Sequence, residues 1–217
     1  MKRFMIFMAT TGCTVSVAAA VQVDITGGQT SVALDTATLS AAASLDLSGV
    51  SGDVISPGAL PNSVAFGINP RDAATLPTTF SYDDADFLGT FSGTIEHTGS
   101  VFFNSDAVEV GDFTIAFDAS RIAGNASGFF VASTTGIAAT LFDVAAPSTL
   151  IAGSDSLTIE ADLLVSPEFA QFLLDNQLAS TDLTGADVGD ALVQAIPEPG
   201  TFALLSIACL AALRRRR

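Results

Sequence analysis

The chain has 217 residues, of which 49% are hydrophobic, enough for one domain with a substantial core. Its formal net charge of −15 argues against nucleic acid or an anionic lipid surface as a partner. The two cysteines, Cys13 and Cys209, lie in apolar segments near the two ends. The residues that separate these segments contain no cysteine, which excludes a disulfide framework there.

The first predicted element is a secretory signal peptide over residues 1–20. A basic start precedes a mostly apolar stretch, and small residues fit cleavage after Ala20. Gly12 before Cys13 offers a lipoprotein site as an alternative, but Thr10 stands where an aliphatic residue is preferred. An ordinary signal peptide is therefore the favoured interpretation.

Residues 21–195 form the predicted domain, and their charge is more extreme than that of the whole chain. They contain 22 acidic residues and only two basic ones, Arg71 and Arg121, which gives a net charge of −20. Such a surface favours solubility and attracts cations. A solvated acidic exterior is favoured over a binding site for basic partners.

Apolar and polar residues alternate along much of this domain, a pattern typical of strands with one buried face. The alternation is clear over residues 87–95 and 157–163, and over 108–117 its parity changes at Gly111-Asp112, which predicts a bulge or tight turn. About ten short strands separated by turns predict an all-β domain, an antiparallel β-sandwich or jelly roll. Sixteen phenylalanines and no tryptophan predict a phenylalanine-rich core.

One short helix is predicted after residues 157–163. Ser166 can cap it, Pro167 suits the first helical position and Glu168 favours the positive end of the helix dipole. The helix is expected to end near Asn176 and to pack against the sheet. Its apolar face consists of Phe169, Phe172 and Leu173.

His97 is the only histidine and lies at the end of a predicted strand. A Ser-His-Asp triad would need it, but no G-x-S-x-G elbow accompanies it, and one histidine without a thiolate in the domain disfavours a zinc site. The favoured interpretation is a surface or strand-end histidine in a chain that is not an enzyme. A hydrolase that uses scattered carboxylates is the less favoured alternative.

Two groups of aspartates could hold Ca²⁺ through hard oxygen ligands. They are Asp83, Asp84 and Asp86, and Asp182, Asp187 and Asp190. Neither matches the EF-hand loop or the nonapeptide repeat, and aspartate is common in turns for local hydrogen-bonding reasons. Solvated turns are favoured and no cofactor is predicted, with a Ca²⁺- or carbohydrate-binding module as the alternative function.

Residues 196–217 have the layout of a sorting segment. Pro197-Glu198-Pro199-Gly200 precedes an apolar run, 201–213, and the chain closes on four arginines, Arg214, Arg215, Arg216 and Arg217. As a helix the run would span about 20 Å, against roughly 30 Å of hydrocarbon in a bilayer, and snorkelling arginines can help to cover the difference. The arginines are expected to stay in the cytoplasm, which places residues 21–195 outside.

This order of motif, short apolar helix and basic cluster resembles the PEP-CTERM sorting domain of Gram-negative bacteria. The resemblance covers about the last tenth of the chain. It implies export, transient anchoring in the inner membrane, and processing by an exosortase, a membrane-embedded cysteine transpeptidase. The two prolines would keep the peptide extended outside the bilayer, and the Glu198 carboxylate would offer the enzyme a charged handle.

The family is associated with exopolysaccharide production and biofilm formation. Together with the lack of a catalytic grouping in the sequence, the resemblance implies a non-catalytic protein with a structural or adhesive role at the cell surface or in the extracellular matrix. Signal peptidase and exosortase are the expected processing partners, and exopolysaccharide is a further candidate partner.

Overall fold

Twelve strands form one antiparallel, hydrogen-bonded sheet in the computed structural model, which describes residues 21–198. The strand order is β2-β6-β7-β8-β9-β11-β12-β1-β3, with β10 beside β11, β4 beside β1 and β5 beside β7. The strands are β1 (Gln22–Leu34), β2 (Leu47–Val50), β3 (Val64–Gly67), β4 (Ser81–Asp83), β5 (Ile95–Glu96), β6 (Ser100–Phe103), β7 (Val108–Phe117), β8 (Ala126–Gly136), β9 (Ala139–Ala145), β10 (Thr149–Ala152), β11 (Leu157–Val165) and β12 (Asp187–Pro197).

The sheet curls around its own interior. A bridge joins Ile68, just after β3, to His97, just after β5, and β5 pairs with β7 on the other side of the strand order. The prediction of an antiparallel all-β domain is confirmed. Where the sequence predicted the two packed layers of a sandwich, the structure has one continuous sheet whose inner face encloses the core.

Within residues 21–198, three α-helices and one 3₁₀ turn accompany the strands. They are α1 (Thr36–Ala43), α2 (Phe87–Thr90), η1 (Ala119–Arg121) and α3 (Pro167–Asp175). The predicted helix is α3, and its cap is confirmed because the Ser166 hydroxyl accepts the Phe169 amide hydrogen at 3.0 Å.

The prediction of a single helix is wrong in number. The α1 segment is rich in alanine and threonine and lacks the wide apolar stripe that identifies a helix in sequence. The α2 helix replaces the first residues of the strand predicted over 87–95, because the Asp86 carboxylate caps it by accepting the Gly89 amide hydrogen at 3.1 Å.

The change of parity within β7 occurs at the predicted position, Gly111-Asp112, although the register with β8 continues across it without an inserted residue. Asp112 has a φ of +49°, and its amide donates to the Gly99 carbonyl at 2.9 Å. This local irregularity lets Val110 and Phe113, on either side of it, both face the interior although their positions differ in parity.

Two clusters of buried apolar side chains occupy the two ends of the curled sheet. The first, where β1 ends, includes Leu39 of α1 and Leu173 of α3, and we call this the helical end. The second, where β1 begins, includes Val23, Tyr82 and Phe87. Both described ends of the chain lie on this second side, since β12 runs antiparallel to β1.

Within residues 21–198, none of the helices has both the length and the apolar character that crossing a bilayer requires. The predicted signal peptide (1–20) and the predicted membrane segment (201–213) lie outside the described residues.

Candidate functional site: an apolar cavity inside the sheet

A cavity of about 420 Å³ runs through the interior from one cluster to the other. Small-molecule sites span roughly 300–1,000 Å³, so this space is large enough for a ligand. Its wall is almost entirely aliphatic and aromatic. Ten phenylalanines contribute to it: Phe66, Phe80, Phe87, Phe91, Phe103, Phe113, Phe117, Phe129, Phe142 and Phe169. The predicted phenylalanine-rich core is confirmed, but its side chains surround a space as well as packing against one another.

The cavity opens on the side where the chain enters and leaves the sheet. Four residues of its wall are also exposed to solvent: Leu88 of α2 by 74%, Phe117 at the end of β7 by 38%, Leu150 of β10 by 39%, and Pro147, which lies between β9 and β10. We call this side the open end. Behind it, the rings of Phe91, Phe117 and Phe129 lie in mutual contact, with centroids 5.0–5.2 Å apart.

At the helical end the cavity is covered. Leu39, Leu45 and Phe169 line it there and are each buried, with no more than 3% of their surface exposed. The Phe169 ring stands edge-on to Phe142 of β9 at 6.0 Å, which holds α3 against the sheet. Among the described residues, the wall of the cavity is therefore buried at the helical end and reaches solvent at the open end.

Three polar residues interrupt the apolar wall, and each is already hydrogen-bonded to protein. The His97 Nδ1 donates to the Phe113 carbonyl at 3.1 Å, so Nε2 is unprotonated and accepts from the Thr30 hydroxyl at 2.7 Å. Desolvation lowers the pKa of His97 to about 4, opposed by the Phe113 carbonyl, so the ring is neutral at pH 7. The Ser127 hydroxyl donates to the Val144 carbonyl at 2.7 Å.

The expected surface position of His97 is wrong, although the residue does end a strand. It is 1% exposed and lies in the middle of the cavity wall. The sequence carried a usable signal, because His97 shares the parity of the inward-facing Ile95. Both ring nitrogens of His97 are hydrogen-bonded to protein, so neither is available to accept a proton from a substrate.

The first aspartate group forms hydrogen bonds to the backbone. The Asp83 carboxylate accepts the Ala85 amide hydrogen, Asp86 caps α2, and Asp84 accepts the Val21 amide hydrogen at 3.2 Å. Asp83 and Asp86 thus have the local turn roles that are common for aspartate, whereas Asp84 joins the segment after β4 to the residue before β1.

The second aspartate group is similar. Asp182 accepts from the amide and hydroxyl of Thr184, and Asp187 accepts from the Gly189 amide. Partial burial, with Asp162 opposite on β11, raises the pKa of Asp190. Within the described part of the chain, no three acidic, histidine or cysteine side chains are grouped so that they could hold a metal ion.

The first half of the sorting motif continues β12. Pro197 is buried and pairs with Ile25, and the amide of the exposed Glu198 donates to the Asp24 carbonyl at 2.7 Å. The sheet thus runs two residues past the expected domain boundary at residue 195. Pro199, Gly200 and the four terminal arginines lie outside the described residues.

A charged cluster around Arg121 joins the open end to α3. The guanidinium donates a hydrogen bond to Asp143 Oδ1 at 2.6 Å and one to each carboxylate oxygen of Glu168, at 2.7 and 2.9 Å. These hydrogen bonds lower the pKa of Glu168 to about 2 and raise that of Arg121. The guanidinium also lies 5.3 Å from the centre of the Phe130 ring. Sequence reasoning did not find this cluster, because its three charged members are far apart in the chain.

No protein-family model and no curated protein matches this chain. Among solved structures it is similar to the C-terminal domain of HtaA from Corynebacterium glutamicum, with 14% sequence identity and a TM-score of 0.51. The match covers 81% of this chain and 99% of the HtaA domain. At this identity the similarity supports the fold alone.

Proposed function

We propose that this chain is an exported, non-catalytic binding protein whose curled sheet encloses a small, elongated apolar ligand such as a single acyl chain. The observation that carries the proposal is the apolar cavity, whose wall reaches solvent at the open end. A body that served only as a structural or adhesive spacer would have no use for such a space.

The size of the cavity supports a ligand. Engineered cavities destabilise proteins by about 24 cal/mol per Å³, which for 420 Å³ gives about 10 kcal/mol as an upper value for a space partly open to solvent. Whole domains are stable by only about 5–15 kcal/mol. An occupant that contacts the wall would recover much of that loss.

The chemistry of the wall favours an apolar ligand over a sugar. Sugar hydroxyls lose hydrogen bonds to water on entry and need partners in the site. The wall groups Thr30, His97 and Ser127 already bond to protein, so a carbohydrate would stay unsatisfied there. A methylene chain needs no such partners.

The binding proposal is tested with full-length chain in nanodiscs and a fatty acid that fluoresces in apolar surroundings. We expect saturable binding by the wild type. The Val131→Trp variant, which fills the cavity from β8, should bind at least about tenfold more weakly, whereas Ala132→Trp on the other face of the same strand should bind normally. Equal binding by all three proteins, or none by the wild type, would refute the proposal.

The fate of the chain follows from its two end segments. We propose export by the 1–20 signal, temporary membrane anchoring through 201–213, and exosortase processing at Pro197-Glu198-Pro199-Gly200, with final placement at the cell surface or in an exopolysaccharide matrix. Co-expression with an exosortase should shorten the wild type but not Glu198→Ala, while Gln194→Ala, on an exposed position of β12, should be shortened normally. An intact wild-type chain in cells with an active exosortase would count against this fate.

A further inference from the structure

The exposed apolar side chains of the domain are concentrated at one end. Of the nine large ones exposed within residues 21–198, seven belong to segments at the open end, and the other two are Leu47 and Ile55. The seven are Val21, Leu88, Phe117, Ile122, Leu150, Ile151 and Ile196. Chance scatter of single apolar residues on a surface needs no explanation, but a concentrated patch marks an interaction site.

Four of these side chains surround the exit of the cavity, and we call them the rim: Leu88, Phe117, Ile122 and Leu150. Three of them also line the cavity. The fourth, Ile122, is 59% exposed and packs beside Phe117 around Gly128, where any added Cβ would collide with both side chains. A ligand that enters or leaves must pass this rim.

The described chain ends lie next to the rim. The Val21 amide donates to Asp84, which is three residues before α2, and the Glu198 amide donates to Asp24, which pairs with Ser81 of β4. The apolar segment begins at Thr201, so three extended residues place its start within roughly 10 Å of Glu198. A membrane that receives this segment therefore lies against the open end.

The charges at the open end favour one headgroup charge of the lipid over another. Asp84, Asp86 and Asp118 stand near the rim, and Arg121, next to Ile122, is engaged by Asp143 and Glu168. Anionic lipid headgroups would be repelled, and contact would depend on apolar insertion.

We propose that the rim docks on a zwitterionic bilayer, the one that holds the chain's own apolar segment, and that the cavity takes up an acyl chain of a lipid directly from it. This rests on the proposed function and adds the source of the ligand and the route of entry. The apolar rim inserts at the interface, and the acyl chain passes from the bilayer to the phenylalanine wall without crossing water.

The test uses full-length chain in phosphatidylcholine nanodiscs that contain a phosphatidylcholine with a photoreactive group near the end of one acyl chain. After illumination, peptide mapping should place cross-links on inward residues such as Phe113, Val131 and Leu141. The variant Ile122→Asp, at the rim residue that does not line the cavity, should lower the yield of these cross-links about tenfold. The matched control Leu47→Asp, an exposed leucine of β2 at the other end, should leave the yield unchanged.

Binding of the free fluorescent fatty acid separates this inference from the proposed function. The Ile122→Asp rim variant should keep that binding within about twofold, because Ile122 does not line the cavity and the wall is intact. Normal cross-linking by the rim variant would overturn the docking surface, and wild-type cross-links confined to the rim would overturn uptake. If the wild type gives no cross-links and binds the free fatty acid only after removal of 201–217, the chain's own tail occupies the cavity and the inference is wrong. If no form binds the fatty acid, the proposed function itself fails.

Discussion

The helical end and the open end of the sheet carry the same kinds of apolar side chain, which are buried at the helical end and exposed at the open end. At the helical end Leu39, Phe169 and Leu173 are buried under α1 and α3, whereas at the open end Leu88 and Phe117 stand in solvent. Burying a leucine contributes about 1.5–3 kcal/mol, so the open end gives up stability that the helical end gains. Because the domain has no disulfide, the difference indicates that the helical end maintains the fold, and under the proposed function the open end serves binding.

The largest effect expected from this contrast is on stability. Leu173→Ala removes a fully buried side chain of α3 and should lower the free energy of unfolding by about 3 kcal/mol. Leu88→Ala at the open end should change it by less than about 0.5 kcal/mol. Thermal unfolding followed by circular dichroism compares them, and equal losses would remove the distinction between the ends.

His97 lies between the two ends and should make stability depend on pH. Its pKa is about 4 in the folded chain and 6.5 ordinarily, so the unfolded chain binds the proton first. Stability should be full above pH 6.5 and fall by up to about 3 kcal/mol as pH drops to 4. His97→Gln should lose this slope.

The ring of this single histidine offers a direct check by NMR. A titration midpoint near pH 4 is expected for the folded chain, and a midpoint near 6.5 would show that the ring is solvated and that the cavity wall is different from the one described.

Arg121 connects the two ends and should contribute more to stability than Arg71, the other arginine within residues 21–198. Arg121→Ala leaves the mostly buried Asp143 without its partner and should cost about 2 kcal/mol, between the values for exposed and buried ion pairs. Arg71, whose guanidinium is 3.7 Å from Asp24, should cost less than about 1 kcal/mol on the same change. Chemical unfolding would rank the two variants, and the reverse order would refute the connection.

The smallest effect on stability is expected from Glu168, an acidic residue of the same cluster. Glu168 has a pKa of about 2 in the fold against 4.5 ordinarily, so its ion pair stabilises fully above pH 4.5 and less as pH falls toward 2. Since this carboxylate is half exposed, Glu168→Gln should cost only about 1 kcal/mol at pH 7. The difference in free energy of unfolding between the variant and the wild type should vanish near pH 2. A difference that is independent of pH would argue against the ion pair.

Local patterns in the sequence predicted the local structure well. The Ser166 cap and the irregular backbone at Gly111-Asp112 follow from neighbouring residues, and both are present. The parity of His97 also held the information that it faces inward. Turn chemistry at Asp83 and Asp86 was likewise predictable, since each carboxylate bonds within three residues.

Features that depend on residues far apart in the chain could not be predicted from the sequence. The curling of the sheet rests on the bridge between Ile68 and His97, and nothing in either segment predicts that pairing. The cavity requires ten phenylalanines to face one space with a gap left between them, and the sequence pattern is the same whether they fill that space or surround it. The Arg121 cluster unites residues separated by up to 47 positions.

A crystal of the protein soaked with a fatty acid brominated at its terminal methyl tests the occupied channel most directly. The account predicts an anomalous bromine peak in the interior near Phe113 and Leu141, with the carboxylate directed toward Leu88 and Leu150 at the open end. Bromine found only on the outer face of the sheet, or side chains filling the interior with no room for the chain, would contradict it.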